Sequence, residues 1–219
     1  TLNYKESLIM EYAVTSANSM IAALNAFLRF LGWIDCIIKQ YKVQKQAYCS
    51  EEKELTRAEY IRLVNAAKAQ GNERLSLIIQ TICGTGIRVS ELQFITVEAV
   101  KKGEAVVTLK GKTRTVFIVK NLRAKLFEFI KKKGIKTGPV FITRNGKPMS
   151  RCNIWREMKN LCDSAGVSHK KVFPHNLRHL FARTFYGIDK DIAKLADILG
   201  HTSINTTRIY IITTCAEHK

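Results

Sequence analysis

Acidic residues are scarce in this chain. Eighteen Asp and Glu stand against 36 Lys and Arg among 219 residues, a formal net charge of +18. Such a surplus fits a polyanionic partner, nucleic acid before an anionic membrane surface. A solvated basic surface with no chemistry, or a ribosome-associated protein, is the ordinary alternative. No apolar run approaches the ~20 residues of a membrane helix, and no signal-peptide pattern opens the chain. The membrane alternative loses ground accordingly. Cys36, Cys49, Cys83, Cys152, Cys162 and Cys215 form no C-x-x-C pair and no zinc-like spacing with the five histidines, which leaves neither a disulfide framework nor a zinc module. They read as reduced thiols of a cytoplasmic protein. Internal repeats and low-complexity tracts are also missing. What is present is 46% apolar and 25% charged residues, enough to bury a full core.

The charge is uneven. Residues 1–50 hold five basic and three acidic residues, whereas 51–219 hold the other 31 and 15, so +16 of the +18 falls in the second part. Met20, Ile21, Leu24, Phe27, Leu28 and Leu31 predict a helical stripe before Gly32. From Lys39 to Lys53 the chain turns polar, as a linker does. Thr56 and Glu59 then form a capping box, flanked by Leu55 and Tyr60 at the staple positions. Residues 1–50, with a linker to about 54, read as a small helical piece, and 54–219 as a second domain. In that domain "NERLSLIIQTIC" reads as a helix and "GTG" at 84–86 as a turn. "AVVTLKGKTRTVFIV" reads as a β-hairpin whose turn carries Lys110 and Lys112, with Arg114 just beyond. Further helices are expected over "NLRAKLFEFIKKKG", over "SRCNIWREMKNLCDSAG" with Ser150 as N-cap, from Pro174, and over "DKDIAKLADILG" to Gly200. Ser203 can cap a short last helix carrying Tyr210. The fold class is mainly α with one small antiparallel β-sheet (α+β).

Three polar clusters fall where apolar residues are expected: "TGIRVSEL" with Arg88, "PHNLRH" with His175, Arg178 and His179, and "LGHTSINTTRIY" with His201 and Tyr210. Taken singly, each has an ordinary explanation. Arg88 can pair with Glu91 three residues on. His175 and His179 can be a helix face or an i,i+4 metal pair, although no acidic residue accompanies them as in H-E-x-x-H. His201 can cap the turn after Gly200. Together they suit attack on a phosphodiester. Two guanidiniums can grip non-bridging oxygens. A phenol needs a base to become a nucleophile, and histidine can be that base. A lysine on a hairpin can protonate the leaving alkoxide. No carboxylate cluster offers a metal site, and no metal is needed.

These motifs closely resemble the tyrosine recombinases, the integrase family of phage integrases and Xer-type resolvases. "TGIRVSEL" resembles the family's first-arginine motif, "HNLRHLFA" its H-x-x-R-H box, and "LGHTSINTTRIY" its L-G-H-x-S…T…Y box, in the same order and spacing. The resemblance implies a catalytic domain over 54–219 preceded by a partial helical core-binding segment. It implies a site-specific recombinase in which Tyr210 attacks a scissile phosphate to form a 3′-phosphotyrosyl link and free a 5′-hydroxyl. Arg88 and Arg178 clamp the phosphate, His175 is the acid/base beside the tyrosine, and His201 hydrogen-bonds the phosphate. The hairpin lysine protonates the leaving 5′-oxygen, and Lys112 and Arg114 contact DNA. His179 matches a common non-catalytic histidine. No metal, ATP or other cofactor is implied. The implied partner is a double-stranded recombination site, bound by a homotetramer that is a monomer in solution. The implied location is the cytoplasm of a prokaryote, at the nucleoid.

The chain also departs from the pattern. The family hairpin reads K-G-x-x-K-x-R, whereas "KGKTR" is shorter. Lys110, which precedes the glycine, is the assigned lysine, with Lys112 its rival. Residues 1–50 are short for the family's helical arm domain, and nine residues follow Tyr210, the pattern of a truncated chain. Integration and excision of a mobile element is the favoured role. An Xer-type chromosome dimer resolvase is the alternative, with a type IB topoisomerase-like activity and a catalytically inactive DNA-binding regulator behind it.

Overall fold

Residues 2–42, 54–109 and 111–211 are described by the computed structural model. The chain divides into two compact units, Thr1–Ala47 and Tyr48–Lys219. In the first, two asparagines seven residues apart share one face of a helix and act as surrogate backbone. Helices α1 (Leu2–Glu11) and α2 (Val14–Phe30) pack on a small core of Leu8, Ala17, Ile21 and Ile38. Asn25 on α2 exchanges hydrogen bonds of 2.8 and 2.9 Å with the main chain of Ile38. Asn18 does the same with Tyr41 at 2.9 and 2.8 Å. The polar stretch expected to open a linker at Lys39 is therefore fastened to α2 as far as Tyr41. The expected apolar stripe is also narrower than its residues: Phe27 and Leu31 stay 57% and 39% exposed.

The second unit begins with α3 (Arg57–Ala69), started by the predicted capping box. The Thr56 hydroxyl accepts from the Glu59 amide at 3.2 Å, and the Glu59 carboxylate accepts from the Thr56 amide at 2.8 Å. Next comes α4 (Glu73–Thr85), buried on nearly every side and packed on α3, α6 (Lys120–Lys133), α7 (Arg151–Lys159) and α9 (Pro174–Asp189). Its helix runs through Gly84 and Thr85, where a turn was expected. The Thr81 and Thr85 hydroxyls bond back to the Leu77 and Thr81 carbonyls, each at 2.7 Å, so both are satisfied inside the helix. It stops at Gly86, whose φ of +65° is left-handed and suits glycine. A Cβ there would lie 2.5 Å from Cδ1 of Phe181.

A 3-10 turn (Val89–Phe94) follows, then α5 (Val97–Lys102), capped by Thr96, a helix too short to show periodicity. The expected hairpin is β1 (Glu104–Leu109) against β2 (Lys112–Phe117), antiparallel, with Val107 opposite Arg114. The expected helix from Ser150 is broken near Asn160 into α7 and the single-turn α8 (Cys162–Ala165). Pro174 occupies the first turn of α9, as predicted. Helix α10 (Ile192–Leu199) ends at Gly200 with φ +65°, and α11 (Ile204–Arg208) is capped by Ser203. Tyr210 was expected on that last helix; it lies past its end, where its amide donates to the Thr207 carbonyl at 2.9 Å. Among the described residues no helix is long and apolar enough to cross a membrane, and Cys36, Cys83, Cys152 and Cys162 are free thiols.

Candidate active site

Four local devices converge. The left-handed stop at Gly86 turns the chain so that Arg88 follows at once. The start of α9 projects His175, Arg178 and His179 within four residues. The end of α10 at Gly200 delivers His201. The end of α11 delivers Tyr210. The structure thus brings together Arg88, His175, Arg178, His201 and Tyr210. Lys110 lies outside the described residues, as does the Lys112 side chain, although the Lys112 backbone is in β2.

The tyrosine Oη lies 3.0 Å from Nε2 of His175. Its ring is stacked on His179, with centroids 4.1 Å apart and planes 3° from parallel. The His201 ring sits 4.8 Å away and the Arg178 Cζ 5.7 Å away. Tyr210 is only 6% exposed and shares a small core with Ala182, Leu195 and Leu199. The approach to Tyr210 is rich in Ser and Thr, but the ring itself is packed.

The last carbonyls of α10 hold the arginines. Arg114 Nη1 donates to Ile198 O at 3.0 Å, Arg178 Nη2 to Leu199 O at 2.7 Å, and Arg88 Nη2 to Gly200 O at a longer 3.5 Å. These carbonyls have no helical partner and carry the negative end of the helix dipole, so each guanidinium fills a real vacancy. Glu91 supplies a full negative charge between two of them. It is 1% exposed and takes Arg88 at 2.9 Å and Arg114 at 2.5 Å. Arg178 is itself 1% exposed. It also donates to the Gly86 carbonyl and, at 3.0 Å, to Nε2 of His201. Its Nε has no partner among the described residues.

That donor fixes the His201 tautomer. An arginine can only donate, so Nε2 accepts, and Nδ1 carries the proton to the Thr207 hydroxyl at 2.9 Å. Burial, then Arg178, Arg88 and Arg114, holds His201 down at about 4. Burial, then His175 and neighbouring arginines, brings His179 to about 4. His175 is exposed overall, but partial burial of its ring, then Arg178 and Arg88, lowers it below 6.5. Burial and Arg88 pull even the Arg178 guanidinium down to about 10. The arrangement therefore presents neutral imidazoles beside a phenol, inside a cationic pocket with unspent hydrogen-bonding capacity.

Two expectations follow. Between pH 6.5 and about 4 the unfolded chain binds protons that the folded His179 and His201 refuse. Unfolding free energy therefore falls as pH drops through that window, by roughly 1–3 kcal/mol per ring after solvent screening. Urea titrations across pH 4–7 read the slope, which His179→Phe should reduce. Thr207 is fully buried, and Thr207→Val removes the acceptor of the His201 Nδ1 proton. It should cost about 1–3 kcal/mol and shift the His201 Nδ1 resonance in ¹⁵N spectra, while the Arg178 donor keeps Nε2 unprotonated.

Several of these residues escape a reading of the sequence. Glu91 reads as an ordinary helix pair for Arg88, with no sign that Arg114 shares it. Thr207 sits in a Ser/Thr run without periodicity, and only burial marks it. His179 reads as structural, yet it stacks on the tyrosine.

A family model described as the phage integrase family matches residues 53–216; the chain belongs to that family, the tyrosine recombinases. It is thus a site-specific recombinase, an enzyme that breaks and rejoins DNA. Tyrosine recombinase XerA of Pyrococcus furiosus is 30% identical over 208 residues, covering 91% of this chain and 70% of its own. Tyrosine recombinase XerC of Bradyrhizobium diazoefficiens is 33% identical over 212 residues, covering 87% and 64%. A crystal structure of XerA recombinase aligns with a TM-score of 0.67 at 25% identity, over 98% of this chain and 77% of that one. The Tn1549 transposon integrase in complex with transposon right end DNA aligns with a TM-score of 0.76 over 94% and 79%; at 18% identity it shares the fold.

Proposed function

We propose that Tyr210 is the nucleophile of the strand-transfer reaction. The observation that carries this reading is its 3.0 Å contact with His175 inside the arginine cluster. His175 Nε2 takes the phenolic proton as Oη attacks the scissile phosphorus. A 3′-phosphotyrosyl bond forms, the bond to the 5′-oxygen breaks, and the hairpin lysine, Lys110 with Lys112 as its rival, protonates that oxygen. Arg88 and Arg178 stabilise the charge that builds on the non-bridging oxygens, and the unspent Nε of Arg178 is a donor such a ligand satisfies. His201 hydrogen-bonds the phosphate once its Nε2 gains a proton, a change that phosphate charge favours. The reverse attack by a 5′-hydroxyl of the partner strand rejoins the DNA with no metal and no ATP.

The helices within residues 1–50 help grip the duplex, and Lys112 adds a phosphate contact. Recombination joins two duplexes in a homotetramer built from monomers, at the nucleoid in the cytoplasm. Integration and excision of a mobile element is the role suggested by the basic composition. The Xer-type role is the second reading, favoured by relatives named XerA and XerC at 30–33% identity. Deleting the gene separates them: dimeric chromosomes accumulate in one case, and an excised circle disappears in the other.

The chemistry is tested with a nicked duplex bearing the target site, selected from genomic fragments. With chelator present, the full chain should become covalently attached, and peptide mapping should find the phosphoryl group on Tyr210. A cognate site bound without attachment, or attachment elsewhere, overturns the proposal.

A further inference from the structure

Arg114 follows the hairpin tip, where a basic residue is expected to touch DNA. Its side chain is instead 12% exposed, with both ends of the guanidinium spent within the protein. One end takes Glu91 at 2.5 Å and the other the Ile198 carbonyl at 3.0 Å. Its stem fills the space a side chain at 200 would occupy: a Cβ on Gly200 would lie 2.5 Å from Arg114 Cδ and 2.7 Å from Nε. Gly200 immediately precedes His201. Glu91 in turn divides its two oxygens, Oε1 to Arg88 and Oε2 to Arg114. Arg114 thereby joins the lysine hairpin, the carboxylate that orients Arg88, and the turn that presents His201. A planar fork reaches two acceptors in different directions at once, which a lysine ammonium does not reproduce.

We infer that Arg114 is a positioning residue for strand transfer, holding Arg88 through Glu91 and His201 through the Gly200 turn, and that it does not grip DNA. This rests on the reading of Arg88 and His201 as phosphate ligands. Remove the fork and a buried carboxylate loses a partner, Arg88 loses its fixed counter-ion geometry, and the turn at Gly200 gains empty space.

Arg114→Gln and Arg114→Lys in the full chain test it. Site-DNA affinity is measured from low to high salt, and attachment to the nicked duplex is timed at saturating DNA. For Arg114→Gln, affinity and salt slope should stay at wild-type values while attachment slows about 100-fold. Arg114→Lys should also keep affinity and lose rate, by less. If the Gln variant melts below assay temperature, the Lys variant carries the test. Adding Arg114→Gln to Arg88→Ala should cost less than the product of the two single losses, since the part of the Arg114 effect that runs through Arg88 is already gone while the part that runs through His201 remains. In the free protein, the His201 ring resonances should shift in Arg114→Gln. A DNA contact predicts the reverse: weaker affinity, a salt slope reduced by about one, and unchanged rate at saturation. That result, full additivity with Arg88→Ala, or unmoved His201 resonances overturns the inference. A wild-type chain that binds its site without attachment instead sinks the assignment of Tyr210, while the His201 resonances still report on Arg114.

Discussion

Tyr210→Phe should form no covalent complex with a nicked target duplex, yet keep its fold to within about 1 kcal/mol. The two halves of this expectation have separate origins. The ring is held by stacking on His179 at 4.1 Å and by Ala182, Leu195 and Leu199, and phenylalanine keeps all of these contacts. Only the hydroxyl and its 3.0 Å bond to His175 are lost, and the exposed His175 can turn to water. Chemistry, by contrast, loses the atom proposed to attack the phosphorus. Thermal melting and DNA affinity near wild type, with attachment below detection, are the expected results. Attachment that persists in this variant would move the nucleophile to another residue.

Arg178→Met should be the most damaging substitution in the site, because it strikes fold and chemistry together. The side chain is 1% exposed and ties Gly86 at the end of α4 to Leu199 at the end of α10, with His201 between them. Methionine fills much of the volume but leaves two buried carbonyls and the His201 acceptor without donors. At about 1–3 kcal/mol for each unsatisfied group, less what entering water recovers, the loss is on the order of 3–5 kcal/mol. For a domain of this size that lowers the melting temperature by roughly 10 °C. Attachment measured well below the new midpoint should still fall at least ~100-fold, the scale of losing a preorganised donor to an oxyanion. Arg178→Lys should recover part of the stability and little of the rate, since one ammonium cannot span the three acceptors. A variant that melts normally would show that the carbonyls find other donors.

The mainly α architecture, the hairpin and most helix starts were legible because caps and glycine stops are local. Thr56 with Glu59, Ser150, Pro174 and Gly200 act within a turn of chain, so their signals survive without tertiary information. The α4 terminus was misplaced because "GTG" offers two glycines as a stop, and sequence alone does not say that Gly86 rather than Gly84 takes the left-handed conformation. The main site residues were legible as types in order, from resemblance to a family. Their mutual bonds were not: Glu91 and Arg114 are 23 residues apart, Arg114 and Ile198 are 84 apart, and no local pattern encodes such pairs. Tyr210 shows the reverse. Its neighbours form a polar cluster while the ring is buried, because composition around a residue says little about the one ring that turns inward.

The three consecutive carbonyls at the end of α10 have a mechanical consequence. Arg88, Arg114 and Arg178 come from separate parts of the chain, yet all three are tied to one helix end, at Gly200, Ile198 and Leu199 respectively. Fraying of that one helical turn removes an acceptor from all three at once and moves His201, leaving Arg88 and Arg114 on Glu91 and Arg178 on the Gly86 carbonyl. The site therefore shares one point of support, like several latches resting on a single pin.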